Sequence, residues 1–195
     1  MDRPHVGGSP VTAVMESLEE NPALGRVSAA LGPAVDQVLG SGAVGDALRG
    51  RQLGHALHPL MVQLPIGALV SAIVLDVMQG PRAARQSSLL MGLACLSVVP
   101  AVASGLAEWA RADDRTQRVG VAHAACNTVG AVAAVASWAA RRGRWSPAGA
   151  VLAGIAGTAV GVGGLLGGHL SLVRKYASHD QPSNLDGTLR GDYSG

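Results

Sequence analysis

The chain has 195 residues, 48% of them apolar, with 27 Gly, three Trp, two Tyr and no Phe. Its 15 basic and 13 acidic side chains amount to 14% charged, against about 25% in soluble domains, and a formal +2 is too small a balance to argue for nucleic acid. No Asp, Glu, Lys or Arg falls in 52–75, 86–107, 119–140 or 145–173, and each window meets the roughly 20 apolar residues a helix needs to cross hydrocarbon. Disorder and water-soluble enzyme folds are excluded.

In chain order, residues 1–50 form a polar and amphipathic segment. Val14, Leu18, Leu24, Val27, Leu31, Val35, Val38 and Leu39 recur near helical spacing, which predicts one or two short helices over 11–48. Such helices suit a membrane surface or a partner protein. No signal peptide precedes them, so the first span is expected to act as an uncleaved signal.

A four-span domain is predicted over 51–173, with spans near 59–78, 86–107, 119–140 and 147–173. Span 1 begins at Pro59 and span 4 at Pro147, both suited to a first helical turn. Pro65 and Pro100 each remove a backbone donor, and a kink is expected where Pro65 frees the carbonyl of Met61. The connections 79–85, 108–118 and 141–146 are short enough to force each span back beside its predecessor. The fold class is therefore all-α, an integral-membrane antiparallel four-helix bundle, followed by a polar tail over 174–195.

In span 4, Gly154, Gly157, Gly161, Gly164 and Gly168 make one helical stripe, expected to pack inside the bundle. Gly130, Ala133, Ala134 and Ser137 of span 3 offer a small face to meet it. Cys95 and Cys126 fall at different depths, which argues against a disulfide.

Side A is the face that carries both termini and loop 108–118. Near the spans it holds Arg49, Arg51, Arg111, Arg115, Arg118, Arg174 and Lys175, against Arg82, Arg85, Arg141, Arg142 and Arg144 on side B. The bias favours a plasma-membrane protein with both termini in the cytoplasm.

Ionisable groups at membrane depth are costly and tend to be functional. The topology brings His55, His58, Glu108, His123 and His169 to side A, while Asp76 stands alone on side B. Asn127 lies four residues beyond His123 on the same helical face and is placed to orient an imidazole. His123 and His169, about one turn inside the leaflet, are the expected axial pair for a b-type haem, with His58 in reserve. Gly167, Gly168 and Ala124 beside them would leave room for a macrocycle. A metal ion on His58, His123 and His169 is the nearest variant.

Four stretches carry a family resemblance. They are Leu53-Gly54-His55-Ala56-Leu57-His58-Pro59-Leu60 with Pro65-Ile66-Gly67 and Asp76, then Ser104-Gly105-Leu106-Ala107-Glu108-Trp109, His123-Ala124-Ala125-Cys126-Asn127 and Gly167-Gly168-His169-Leu170. In this order, over about 49–173, they resemble the bacterial multi-pass membrane family known as domain of unknown function 2231. The resemblance implies the four-span fold and no established activity. Some members carry a Rieske iron–sulfur domain after the fourth span. Here 174–195 has one histidine and no cysteine, short of the two Cys and two His such a centre needs. A Rieske-type or other redox protein is thus expected only as a separate partner beside the lipid bilayer.

The function expected from these residues is redox-associated, with a histidine-held haem or metal near one membrane face. A structural or scaffolding subunit without cofactor is the alternative. Transport ranks last, because the spans show no paired interrupted halves at mid-membrane. No constellation points to a stand-alone enzyme.

Overall fold

The computed structural model describes residues 9–173, so the expected tail over 174–195 lies outside the described residues. Helices and helical turns make up the described elements, with no strand among them. The N-terminal segment forms α1 (Pro10–Glu19), α2 (Pro22–Val35) and α3 (Gly42–Leu48). Each of the first two starts on a capping side chain followed by proline. Ser9 accepts from the Thr12 amide, and Asn21 accepts from the amides of Ala23 and Leu24.

After a one-turn helix, α4 (His58–Met61), the chain continues as α5 (Gln63–Gln79). The break at Val62 adjoins Met61, whose carbonyl finds no donor at Pro65, so the discontinuity expected from that proline is present. Then follow α6 (Ala84–Trp109), α7 (Asp114–Arg141) and α8 (Pro147–Gly168), which passes into a π-helical turn, His169–Val173. Asp113 caps α7 through the amides of Arg115 and Thr116, and Ser146 caps α8 through Gly149.

Three stretches are long and apolar enough to cross a membrane: His58–Trp109, Asp114–Arg141 and Pro147–Ser171. The first is not straight. It turns at Gly80 (φ 51°) through the 3-10 segment Gly80–Ala83, and Ser87 Oγ lies 3.2 Å from the Ala72 carbonyl. Helices α5 and α6 therefore lie side by side as one hairpin, and α7 and α8 form a second.

The hairpins share a core of Ala68, Leu69, Ala72, Met91, Ala94, Ala133, Ala134, Ala153 and Ala156. All but Leu69 and Met91 are alanine. Small side chains let backbones approach, which is how helices associate where lipid offers no hydrophobic drive between them. A core of this kind has no place for Phe, and the chain has none.

The glycine stripe of α8 does not pack as its spacing suggests. A Cβ at Gly154, Gly161, Gly164 or Gly168 would meet nothing within 4 Å; only Gly157 faces a neighbour, Ile73. The face that meets α7 is instead Gly149, Ala153, Ala156, Val160 and Gly163. Gly130, Ala133, Ala134 and Ser137 of α7 are buried as expected, Gly130 against Ala156 and Val160. Periodicity marks a smooth face but does not say which of two smooth faces the neighbour takes.

Candidate functional site at the histidine end of the bundle

Each hairpin presents one imidazole near its side-A end, and each does so in the same way. His58 opens α4, and its Nδ1 lies 2.8 Å from the Ala101 carbonyl of α6. His123 on α7 has Nδ1 2.8 Å from the Gly163 carbonyl of α8. Four residues beyond each acceptor stands a glycine, Gly105 or Gly167, against which the ring lies. A Cβ there would come within 2.9 Å of His58 Cε1 or 3.0 Å of His123 Cε1. Glycine at these two positions lets an imidazole reach a helix carbonyl past the turn above it.

A carbonyl only accepts, so Nδ1 carries the proton in both bonds and a neutral ring keeps its lone pair on Nε2. The rings meet between the hairpins, centroids 6.4 Å apart and planes at 79°. Asn127 Nδ2 stands 3.1 Å from His123 Nε2 and also donates to the His123 carbonyl at 2.9 Å. Its amide fills the space beside Gly163, where a Cβ would come within 2.7 Å of Nδ2. Glu108, buried at the end of α6, accepts the His58 amide at 3.3 Å.

The other two histidines stand apart. His55 is exposed, with Nδ1 3.1 Å from the Ala56 carbonyl. His169 Nε2 lies 3.0 Å from Glu19 Oε1 of α1, so its nearest polar partner comes from the N-terminal segment. Among the described residues, no group of three or more His, Cys, Asp or Glu is disposed to hold a metal ion. The space at Gly167 expected for a macrocycle is taken by the His123 ring itself. Cys95 and Cys126 are free thiols.

The family described as "Predicted membrane protein (DUF2231)" matches residues 54–180, well over half of the chain. The chain belongs to that family. Its matched region begins at Gly54, just before His55, and takes in both imidazole-bearing hairpins. No curated protein and no solved structure matches the chain.

Side B corrects one expectation. Asp76 does not stand alone: the Arg141 guanidinium forks onto it, Nη1 to Oδ1 at 2.8 Å and Nη2 to Oδ2. Ser87 Oγ donates to Asp76 Oδ1 at 2.6 Å, and Arg141 also reaches Ser137 Oγ and the Gly149 carbonyl. The Arg141 side chain is fully buried and that of Asp76 is 5% exposed. Arg141 is therefore not the flanking side-B charge that its position in the sequence suggests. An acid inside a span calls for a partner, and the hairpin topology sets both residues at one level.

Proposed function

We propose that this family member crosses the membrane four times and uses His58 and His123, one from each hairpin, to ligate a transition-metal centre near one membrane face. The observation that carries the reading is the matched pair of Nδ1–carbonyl bonds, with the rings 6.4 Å apart. Fixing Nδ1 on a main-chain oxygen is the usual way a protein presents Nε2 to a metal. Imidazole suits zinc, copper and iron, either as a bare ion or as haem iron. The bare ion requires less rearrangement, because Gly105 and Gly167 are already filled by the rings. His169 joins as a third ligand only when its pair with Glu19 opens.

Four crossings are supported by the hairpin turn at Gly80. His58–Gln79 alone is long enough for about 30 Å of hydrocarbon at about 1.5 Å per residue. Both termini then share side A. Burial of Arg141 removes a charge from side B and adds to the bias for cytoplasmic termini. A redox-active centre would exchange electrons with a partner docked on side A, and a Rieske-type protein is one such class.

The test is metal analysis and absorption spectra, oxidised and dithionite-reduced, on full-length protein in mild detergent. Copurified or titratable metal or haem, lost in His58→Ala and in His123→Ala and kept in His169→Ala, is the expected result. A colourless, metal-free protein that takes up neither haemin nor zinc nor copper would overturn it. The chain then reads as a scaffold, which the close-packed alanine core and the Arg141 fork would serve equally well.

A further inference from the structure

We infer that α1 is an interfacial helix whose uncovered apolar face lies in the side-A lipid leaflet, and that the partner of Val11 and Val14 is acyl chain rather than protein. Val11, Val14, Met15 and Leu18 follow the i, i+3, i+4, i+7 spacing of one helical face. Only half of that face is covered. Met15 is 4% exposed and packs with Val119, Leu166 and Leu170, and Leu18, Ala122 and Cys126 pack around the same cluster. Val11 and Val14 belong to that face yet are 56% and 54% exposed.

The depth of the covered half identifies what covers the rest. Cys126 is seven residues further into α7 than Val119, about 10 Å along a helix rising about 1.5 Å per residue. Val119, Ala122, Cys126, Leu166 and Leu170 all belong to charge-free stretches of membrane-crossing helices. Val129, Val162 and Leu165 of the same two helices are exposed apolar side chains. The apolar face of α1 is thus continuous with the lipid-facing surface of α7 and α8.

The opposite face fits water. Glu16 and Glu20 are exposed there, while Glu19, at the boundary, is held inward by His169. An apolar face that continues a membrane surface, with acids opposite it, is the pattern of a helix lying in the headgroup–acyl boundary. This inference rests on the membrane reading and does not depend on the metal.

The test uses the full chain in nanodiscs. A nitroxide on a single cysteine at position 11, 14, 16 or 20, with Cys95 and Cys126 replaced by alanine, is read by its relaxation with oxygen and with a water-soluble nickel chelate. Labels at 11 and 14 should favour oxygen, as should controls at Val132 and Leu165, and labels at 16 and 20 should favour nickel. Should the cysteine-free background fail to fold, the unaltered chain is labelled with a photoactivatable phospholipid and mapped by mass spectrometry. Carbene adducts are then expected at Val11 and Val14. Nickel access at 11 and 14, or access to neither reagent, with the span controls lipid-facing, overturns the inference; so does a labelled α8 beside an unlabelled α1. Span controls that face water as well would overturn the membrane reading, and this inference with it.

Discussion

Arg141 and Asp76 form a two-pronged ion pair across 65 positions of sequence, at the end of the bundle opposite His58 and His123. The pair joins the last turn of α7 to the last turn of α5, and Ser87 and the Gly149 carbonyl draw in the first turns of α6 and α8. One guanidinium therefore sets the register of all four helices at side B. Its planar donors are spent on oxygens from three other helices and from its own Ser137.

Removal of either charge leaves the other buried without compensation, which typically costs about 3–5 kcal/mol. Arg141→Met and Asp76→Asn should each lower the thermal midpoint in detergent strongly. Arg141→Lys should not rescue it, because an ammonium cannot reproduce the fork. The double variant Asp76→Asn, Arg141→Met should be more stable than either single one. Equal midpoints for wild type and the single variants would show that the pair does not hold the bundle together.

The two glycine faces of α8 give opposite expectations. Gly161→Leu should be tolerated, since nothing lies within 4 Å of its Cβ position. Gly163→Leu should be destabilising by about 1–3 kcal/mol, because its side chain would collide with Asn127. Thermal midpoints of the two variants in one detergent decide it. Loss of stability in Gly161→Leu alone would mean that the open face is the packed one.

Asn127 gives a prediction with a definite sign. Its Nδ2 donates toward the lone pair on His123 Nε2 that a metal would use, while the ring stays fixed by Gly163. Asn127→Ala should therefore tighten zinc or copper binding, by up to about tenfold for one hydrogen bond of about 0.5–1.5 kcal/mol. Competition against a chromophoric chelator measures it. Weaker binding would mean that the amide holds the ring in its liganding pose and does not compete for the nitrogen.

Much of this architecture is legible in residue order. The four charge-free windows, Pro59 and Pro147 mark where helices run, and α6 to α8 follow their windows closely, while the first window covers a loop, α4 and most of α5. The apolar spacing shows that the N-terminal segment is helical, but it predicts one or two helices where there are three, divided at Asn21-Pro22 and again at Ser41-Gly42. Less legible is which face of a helix meets which neighbour. The stripe from Gly154 to Gly168 and the face from Gly149 to Gly163 are equally smooth, and only packing against α7 distinguishes them. At the site, the expected topology puts four histidines at one end of the bundle, but pairing them depends on side-chain reach. His58 and His123 find each other because Gly105 and Gly167 admit their rings, and Glu19 intercepts His169 from α1, outside the two hairpins.

The contact between Glu19 and His169 supplies the last prediction. Glu19 is buried at the end of α1, His169 stands where α8 passes into its π turn, and Arg118 Nη1 donates to the Glu19 carbonyl at 3.0 Å. Met15, one turn earlier, adds the apolar half of the attachment. Helix α1 is thus held by the apolar contacts of Met15, by the Glu19–His169 contact and by the Arg118 bond to the Glu19 carbonyl, while α2 packs on α7 separately. His169→Ala should remove the Glu19–His169 contact and leave Met15 in place, so α1 should open more often without the bundle unfolding. Met15→Ala should have the larger effect, since truncating a buried methionine typically costs about 2–5 kcal/mol. Limited proteolysis in detergent, after Glu20 between α1 and α2, reports the open state. Cleavage should rise in His169→Ala, rise further in Met15→Ala and be greatest in the double variant, while the thermal midpoint of the span bundle holds. Should His169→Ala leave cleavage unchanged, Met15 with its apolar neighbours and the Arg118 bond secure α1, and the Glu19–His169 contact contributes nothing to its attachment.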